Sequence, residues 1–193
     1  MKKYELTEET KEILGVVLHR IRALRDFGDV KAGDLGGWIE GEYNLNHGGN
    51  AWAGDNARVD GNAWVSDDAT VSGDAWVSGD SWVGDNAIVG DNALVNGNAE
   101  VGGNSMVGGN AWVSGDALLT NTNDYLYIYS IGSLDDSVTF YRLKDGGVGV
   151  SCGCFTGTLN DFIEAVAEEH GDNQHGKEYM AAVELAKVRF GVD

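Results

Sequence analysis

Residues 57–77 read ARVDGNAWVSDDATVSGDAWV, and this stretch decides the fold. Valine recurs at every sixth position, Val59, Val65, Val71 and Val77, and the period runs on through Val83, Val89, Val95, Val101, Val107 and Val113, with Ala53 before the series and Leu119 after it. Two positions earlier in each unit sits a small residue: Ala57, Ala63, Ala69, Ala75, Ser81, Ala87, Ala93, Ala99, Ser105, Ala111 and Ala117. An α-helix of 3.6 residues per turn cannot keep one face at a six-residue step for so long. The local order of small, variable, aliphatic is the in–out–in alternation of a short strand. Each unit then closes on an amide or carboxylate, from Asn56 and Asn62 to Asn110 and Asp116, after positions rich in Gly, Ser and Asp. Such residues accept left-handed backbone angles at least cost, so the chain turns there. Three strand-and-corner sides close a coil of eighteen residues.

Positions eighteen apart stack into columns. The outward residue before each Val reads Trp52, Thr70, Ile88, Met106 on one side; Arg58, Trp76, Leu94, Trp112 on the next; and Trp64, Trp82, Glu100, Leu118 on the third. An exposed tryptophan offers about 150–250 Å², and columns of them exceed what a soluble monomer leaves bare. The expected cover is a second copy, with Trp52, Trp64, Trp76, Trp82, Leu94 and Trp112 as the seam; the carboxy-terminal segment or a foreign partner are the alternatives. The corner columns place Asn over Asp, as at Asn62/Asp80 and Asn98/Asp116. That pairing spares like charges from stacking, which points to a folding role for these acids rather than to calcium binding or DNA mimicry.

Outside the repeat, composition divides the 193 residues into 1–50, 51–119 and 120–193. The chain carries a formal charge of −18, and residues 35–119 hold twelve acids against Arg58 alone. An acidic surface disfavours direct nucleic-acid binding, which depends on Lys and Arg replacing counterions. No apolar run reaches the length of a membrane span. The polar, alternately charged stretch Met1–Thr10 lacks the pattern of a secretion signal, so a cytoplasmic location is expected.

Residues 1–50 should cap the first coil, since a solenoid exposes strand edges at its ends. Thr7 with Glu8, Glu9 and Thr10 suggests a short helix start, while Val16–Leu24 fits helix and strand spacing equally. In residues 120–193 the alternation of Tyr125–Ile131, Val138–Leu143 and Val148–Phe155 predicts three antiparallel strands, with Lys144–Gly147 as a tight turn. Thr158 and Asp161 resemble a capping box opening one helix, closed by Gly171; Tyr179, Val183, Ala186 and Phe190 mark a second.

The repeat resembles the hexapeptide-repeat superfamily, over about Ala51 to Leu119. This implies a mainly β protein: a left-handed parallel β-helix, here with an N-terminal cap and a small C-terminal α+β domain. Homotrimers are common in that superfamily. The run Arg20–Phe27 with Gly28–Ile39 resembles the start of phage and prophage hexapeptide-repeat proteins, often labelled polymer-forming, in which this region is a strand leading into an irregular first coil. Acyltransferases of the superfamily use a His general base in or beside a coil and a pantetheine groove between prisms, and its carbonic anhydrases hold zinc with three His. Here the repeat contains no His after His47, His19 lies in the N-terminal cap, and His170 and His175 lie outside the prism. Cys152, Cys154, His170 and His175 have a spacing usable by zinc, but the reading taken is two half-buried thiols and two loop histidines, without a metal.

These observations lead to an expected non-enzymatic, self-assembling accessory protein of phage type, a trimer without cofactor. It would bind a host protein or small ligand, with counter-defence sequestration of a protein or nucleotide signal as one use. The expected ligand surface comprises Tyr125, Tyr127, Tyr129, Tyr141, Arg142, Gly146 and Gly147. The alternatives are a hexapeptide acyltransferase using His47 and acetyl-CoA, and a structural particle component.

Overall fold

The computed structural model describes residues 2–133 and 136–193. The chain opens as a hairpin, β1 (Tyr4–Ile13) and β2 (Val16–Ala23), rather than with the expected helix start. Leu14 and Gly15 both take positive φ, 53° and 83°, the geometry of a two-residue hairpin loop matched to strand twist. The cap-like Thr7 does act on the backbone, its hydroxyl accepting from Glu9 N–H at 3.2 Å. It does so at a shift of strand register between Leu6 and Thr10. Tyr4, Leu18, Ile21 and Ala23 turn inward, and that burial settles the ambiguity of Val16–Leu24 in favour of strand.

Strand β3 (Leu35–Ile39) joins two architectures. It pairs antiparallel with β2 on one side and parallel with the rung Arg58–Val59 on the other. The close passage needs Gly36, where a Cβ would come within 2.4 Å of the Trp52 ring and 2.6 Å of Ile21. From there twelve two-residue rungs, Trp52–Ala53 to Leu118–Leu119 (β4–β15), stack in parallel with partners eighteen residues apart. The result is a left-handed β-solenoid of about five turns, its three faces being the three predicted columns.

Its interior is the repeat itself. Every Val from Val59 to Val113 is at most 2% exposed, as are the Ala and Ser two positions before it. Each buried Val contributes about 1.5–3 kcal/mol. Ser81 and Ser105 satisfy their hydroxyls by donating to the carbonyls of Ser78 and Gly102. At the corners Asn62 donates to Asp80 at 2.8 Å and Asn98 to Asp116 at 3.1 Å, the ladder predicted from the sequence. The residue before each corner amide or carboxylate has positive φ and is Gly or Asp, for example Gly61 before Asn62, Asp85 before Asn86 and Asp91 before Asn92. Where it is Asp, its carboxylate accepts the N–H of the next coil, Asp85 from Gly103 and Asp91 from Gly109, both at 2.8 Å.

The C-terminal unit has four antiparallel strands rather than three: β16 (Tyr125–Ile131), β17 (Asp136–Arg142), β18 (Val148–Cys152) and β19 (Phe155–Thr158). Gly153, at φ 55°, turns the chain between the last two. Helices α1 (Leu159–Glu169) and α2 (Gln174–Phe190) follow, the first opened by the Thr158/Asp161 capping box. Phe162, Val166, Tyr179, Val183 and Phe190 pack against Phe140 and Val150 as one core. The sheet also closes the open end of the solenoid: Tyr141, 1% exposed, joins the solenoid core. Its hydroxyl meets Ser114 at 3.0 Å, and Thr139 accepts from Trp112 N–H at 3.1 Å. No helix in the described residues is long and apolar enough to cross a membrane.

Candidate functional site

Four titratable side chains shifted from ordinary behaviour, Lys3, Tyr4, Glu42 and His47, gather at the N-terminal cap. Lys3 is completely buried; its ammonium donates to Gly48 O at 3.2 Å and lies 5.2 Å from the centre of the Phe27 ring. Burial first, then the Arg25 charge, lowers its pKa to about 8. His47 stacks on Tyr4 with ring centres 4.3 Å apart. Its Nδ1 faces Lys3 N–H at 3.4 Å, longer than an ordinary hydrogen bond, and its Nε2 lies 3.7 Å from Glu42 Oε2. Burial lowers the His47 pKa, which favours the neutral imidazole. The Lys2 ammonium paired with Glu42 holds that carboxyl below its usual range. The Tyr4 hydroxyl donates to Leu45 O at 2.7 Å, and burial raises its pKa.

A groove of about 700 Å³ opens between the loop Phe27–Leu35 and the face carrying Trp52 and Thr70; Lys3, Tyr4, Glu42 and His47 do not line it, and the cluster meets it through Phe27, under Lys3, and Trp52, beside Tyr4. Its floor is Phe27, Val30, Leu35 and Trp52, and Asp29, Asp34, Asp55 and Asp68 stand around it. Sequence reasoning singled out His47 and Trp52 but not the groove or Lys3. A Lys near the amino terminus carries no signal of burial until the hairpin folds over Gly48.

The expected tryptophan seam is only partly outside. Trp52 is 8% exposed, covered by Phe27 at a ring distance of 5.4 Å. Trp76, Trp82 and Trp112 lie along their own columns and donate Nε1–H to Asp60, Ser66 and Asn96, each sixteen residues earlier. Leu94 is half-buried beside Trp76 and Trp112. Trp64, 46% exposed, is the seam tryptophan left open, with Ile88 and Met106 open on the next face.

The expected ligand surface divides in the same way. Tyr141 is inside the solenoid cap, and Tyr125 and Tyr127 pack against that core, Tyr127 accepting from Asn110 N–H at 3.2 Å. Arg142 donates to Phe190 O at 2.9 Å and to Gly146 O at 3.3 Å. Gly146 and Gly147 form the turn before β18. Tyr129 is 65% exposed. The residues therefore do not form one open surface, because the solenoid end needs the tyrosine face of the sheet as its lid.

Cys152 and Cys154 both line a small cavity of about 160 Å³ with His170 and Tyr179, Cys152 half-buried and Cys154 exposed after the Gly153 turn. Burial raises the Cys152 pKa, and burial pushes Tyr179 up to about 12. The His170 and His175 rings are 6.1 Å apart. Among the described residues no three His, Cys, Asp or Glu side chains converge to hold a metal ion.

No family model matches the chain. It is 41% identical over 63 residues to the uncharacterized acetyltransferase YdcK of Escherichia coli (strain K12), a match covering 28% of this chain and 19% of that protein. The chain thus spans about a fifth of the length of this curated relative. The relative's name, and a repeat fold typical of acyltransferases, overturn the expectation of no enzymatic activity. Scarcity of histidine was the ground for it, and histidine count alone does not decide catalysis. The phage part of the resemblance is not what this relative reflects. The six-residue period, the three-sided coil and this match together support the hexapeptide-repeat β-helix superfamily.

Proposed function

We propose that this chain transfers an acyl group from a thioester donor to a small acceptor at its N-terminal cap, with His47 taking the acceptor's proton. The observation that carries this reading is the grouping of Lys3, Glu42 and His47 around the Tyr4 ring, all shifted from their ordinary pKa values; such groupings are candidate functional sites. The acetyltransferase relative supports the reaction class. In the step envisaged, the acceptor N–H or O–H gives its proton to the neutral imidazole as its lone pair attacks the thioester carbonyl. The C–S bond breaks, and the imidazolium returns the proton to the released thiolate. Catalytic contacts are often long before substrates bind, in keeping with the 3.4 Å and 3.7 Å neighbours of His47.

The reading includes side-by-side prisms in a trimer. Trp64, Ile88 and Met106 are the exposed apolar residues that support it.

Calorimetry with acetyl-CoA and a thiol-release assay over amine and hydroxyl acceptors test the proposal. Saturable binding and turnover that falls at least tenfold in His47→Asn are expected. Neither heat nor released thiol from purified protein overturns it.

A further inference from the structure

On the solenoid wall a bonded indole finds its acceptor two residues beyond the residue it pairs with: Trp76 pairs with Arg58 and donates to Asp60, and Trp82 pairs with Trp64 and donates to Ser66. Trp38 pairs instead with Arg20 on the antiparallel β2, where the same step leads to Leu18, an apolar and completely buried side chain. Trp38 is 7% exposed, and its Nε1–H has no hydrogen-bond partner among the described residues; nor has the buried Nε–H of Arg20 opposite it. A buried donor without an acceptor is costly, and two side by side point to one acceptor that serves both.

The side chains around this pair are cationic. The Lys11 ammonium lies 4.1 Å from the centre of the Trp38 ring and the Arg20 guanidinium 5.3 Å from it. Arg58, the sole base of residues 35–119, pairs with Trp38 from the next rung. Burial first, then the Arg58 and Arg20 charges, lower the Lys11 pKa against the opposing pull of Asp74, so the three cations share one neighbourhood. No carboxylate closes on them. Glu9 stays 3.9 Å from Arg20 Nη1, and Asp60 is taken by Trp76. Lys11 and Arg58 have neither a salt bridge nor a side-chain hydrogen bond among the described residues, whereas Lys2, Arg22 and Lys144 each bond a carboxylate directly. With 31 acids to 13 bases in the chain, that is no shortage of partners.

We infer that this face of the N-terminal cap binds a phosphate group at the edge of Trp38. Its oxygens accept from Trp38 Nε1–H and Arg20 Nε–H, and Lys11 and Arg58 close on it from β1 and β5. Lys11 is half-buried on a flexible stem, so its ammonium swings from the indole face to the oxyanion and uncovers the donors beneath. A tetrahedral group turns oxygens toward donors arriving from both sides of the indole, whereas a planar carboxylate matches a single guanidinium fork. The inference goes beyond the proposed acyl transfer and does not rest on it: none of these residues has a part in that reaction, and binding is read without turnover.

The test is a titration of ¹⁵N-labelled protein with inorganic phosphate and with glycerol 3-phosphate at constant ionic strength, following the indole N–H resonance that disappears in Trp38→Phe. A saturable shift of that resonance is expected at millimolar probe or below, with acetate giving none. Lys11→Gln and Arg58→Gln should each raise the Kd at least fivefold, while Lys177→Gln, at an exposed position of α2, should leave it unchanged. Tighter binding of glycerol 3-phosphate assigns the site to phosphate esters and tighter binding of inorganic phosphate to the free ion; both support the inference. No saturable shift with either probe overturns it, a result read on wild-type protein alone. An equal shift with acetate, an unchanged Kd in both Lys11→Gln and Arg58→Gln, or equal weakening by Lys177→Gln also overturns it, the last by assigning the attraction to net charge rather than to this site.

Discussion

Trp76 Nε1 donates to Asp60 Oδ2 at 2.7 Å, sixteen residues back and one coil away. The indole is thereby laid along the solenoid wall, 5.6 Å from the Arg58 guanidinium at its ring, instead of standing out for a partner. Asp60 is 9% exposed, and burial raises its pKa while the Trp76 hydrogen bond opposes the rise.

Trp76→Phe leaves that carboxylate without its donor and is expected to cost about 1–3 kcal/mol at pH 7. The folded-state pKa of Asp60 lies above its unfolded value, so ionisation weighs against the fold as pH rises through it. Removing the donor raises that pKa further. Urea melts should therefore show a larger loss at pH 7 than near pH 4; an equal loss at both would mean the indole matters only by packing.

Gly97 and Gly115 share one corner column and positive φ, 70° and 62°, but differ in what lies above. A Cβ on Gly97 would sit 2.7 Å from Gly115 N, while one on Gly115 meets nothing within 4 Å. Gly115→Ala should cost about 1–2 kcal/mol, the left-handed penalty alone. Gly97→Ala should cost clearly more, because two backbones must separate. Thermal melts of both variants compare them directly.

Lys3 has its pKa lowered from 10.5 to about 8. Protonation accordingly favours the unfolded chain, the penalty is complete below about pH 8, and it is relieved as pH rises toward 10.5. Lys3→Met has no such group. The stability of wild type relative to Lys3→Met should climb between pH 8 and 10, measured by denaturant melts; a flat difference would place the ammonium in water.

The trimer of the proposed function is expected to give a light-scattering mass three times the 20.5 kDa chain at micromolar concentration. Trp64→Arg should return it to the single-chain mass with the fold intact, since Trp64 is 46% exposed and without a hydrogen-bond partner among the described residues. Trp76→Arg should instead lower the melting temperature. A mass near 20.5 kDa for the unaltered protein refutes the trimer.

The amino-acid sequence by itself determined the solenoid. A small residue, an outward one and an aliphatic, then a corner of Gly, Asp or Asn, are decided within six residues and repeated from Ala57 to Leu119, so each coil confirms its neighbour and the Asn62/Asp80 ladder was legible as a column. Only the tertiary structure decided what the ends and the wall do. Whether Val16–Leu24 pairs as a strand depended on β3 arriving beside it. Whether Tyr141 faces solvent depended on the open coil it closes, and whether an indole on the wall finds an acceptor depended on the residue sixteen positions back being Asp60, Ser66 or Asn96 rather than Gly48, as it is for the open Trp64. The groove at Trp52 belongs with these: it is formed by Phe27, Asp34, Asp55 and Asp68, brought together from a loop and two coils, and no local spacing records that meeting.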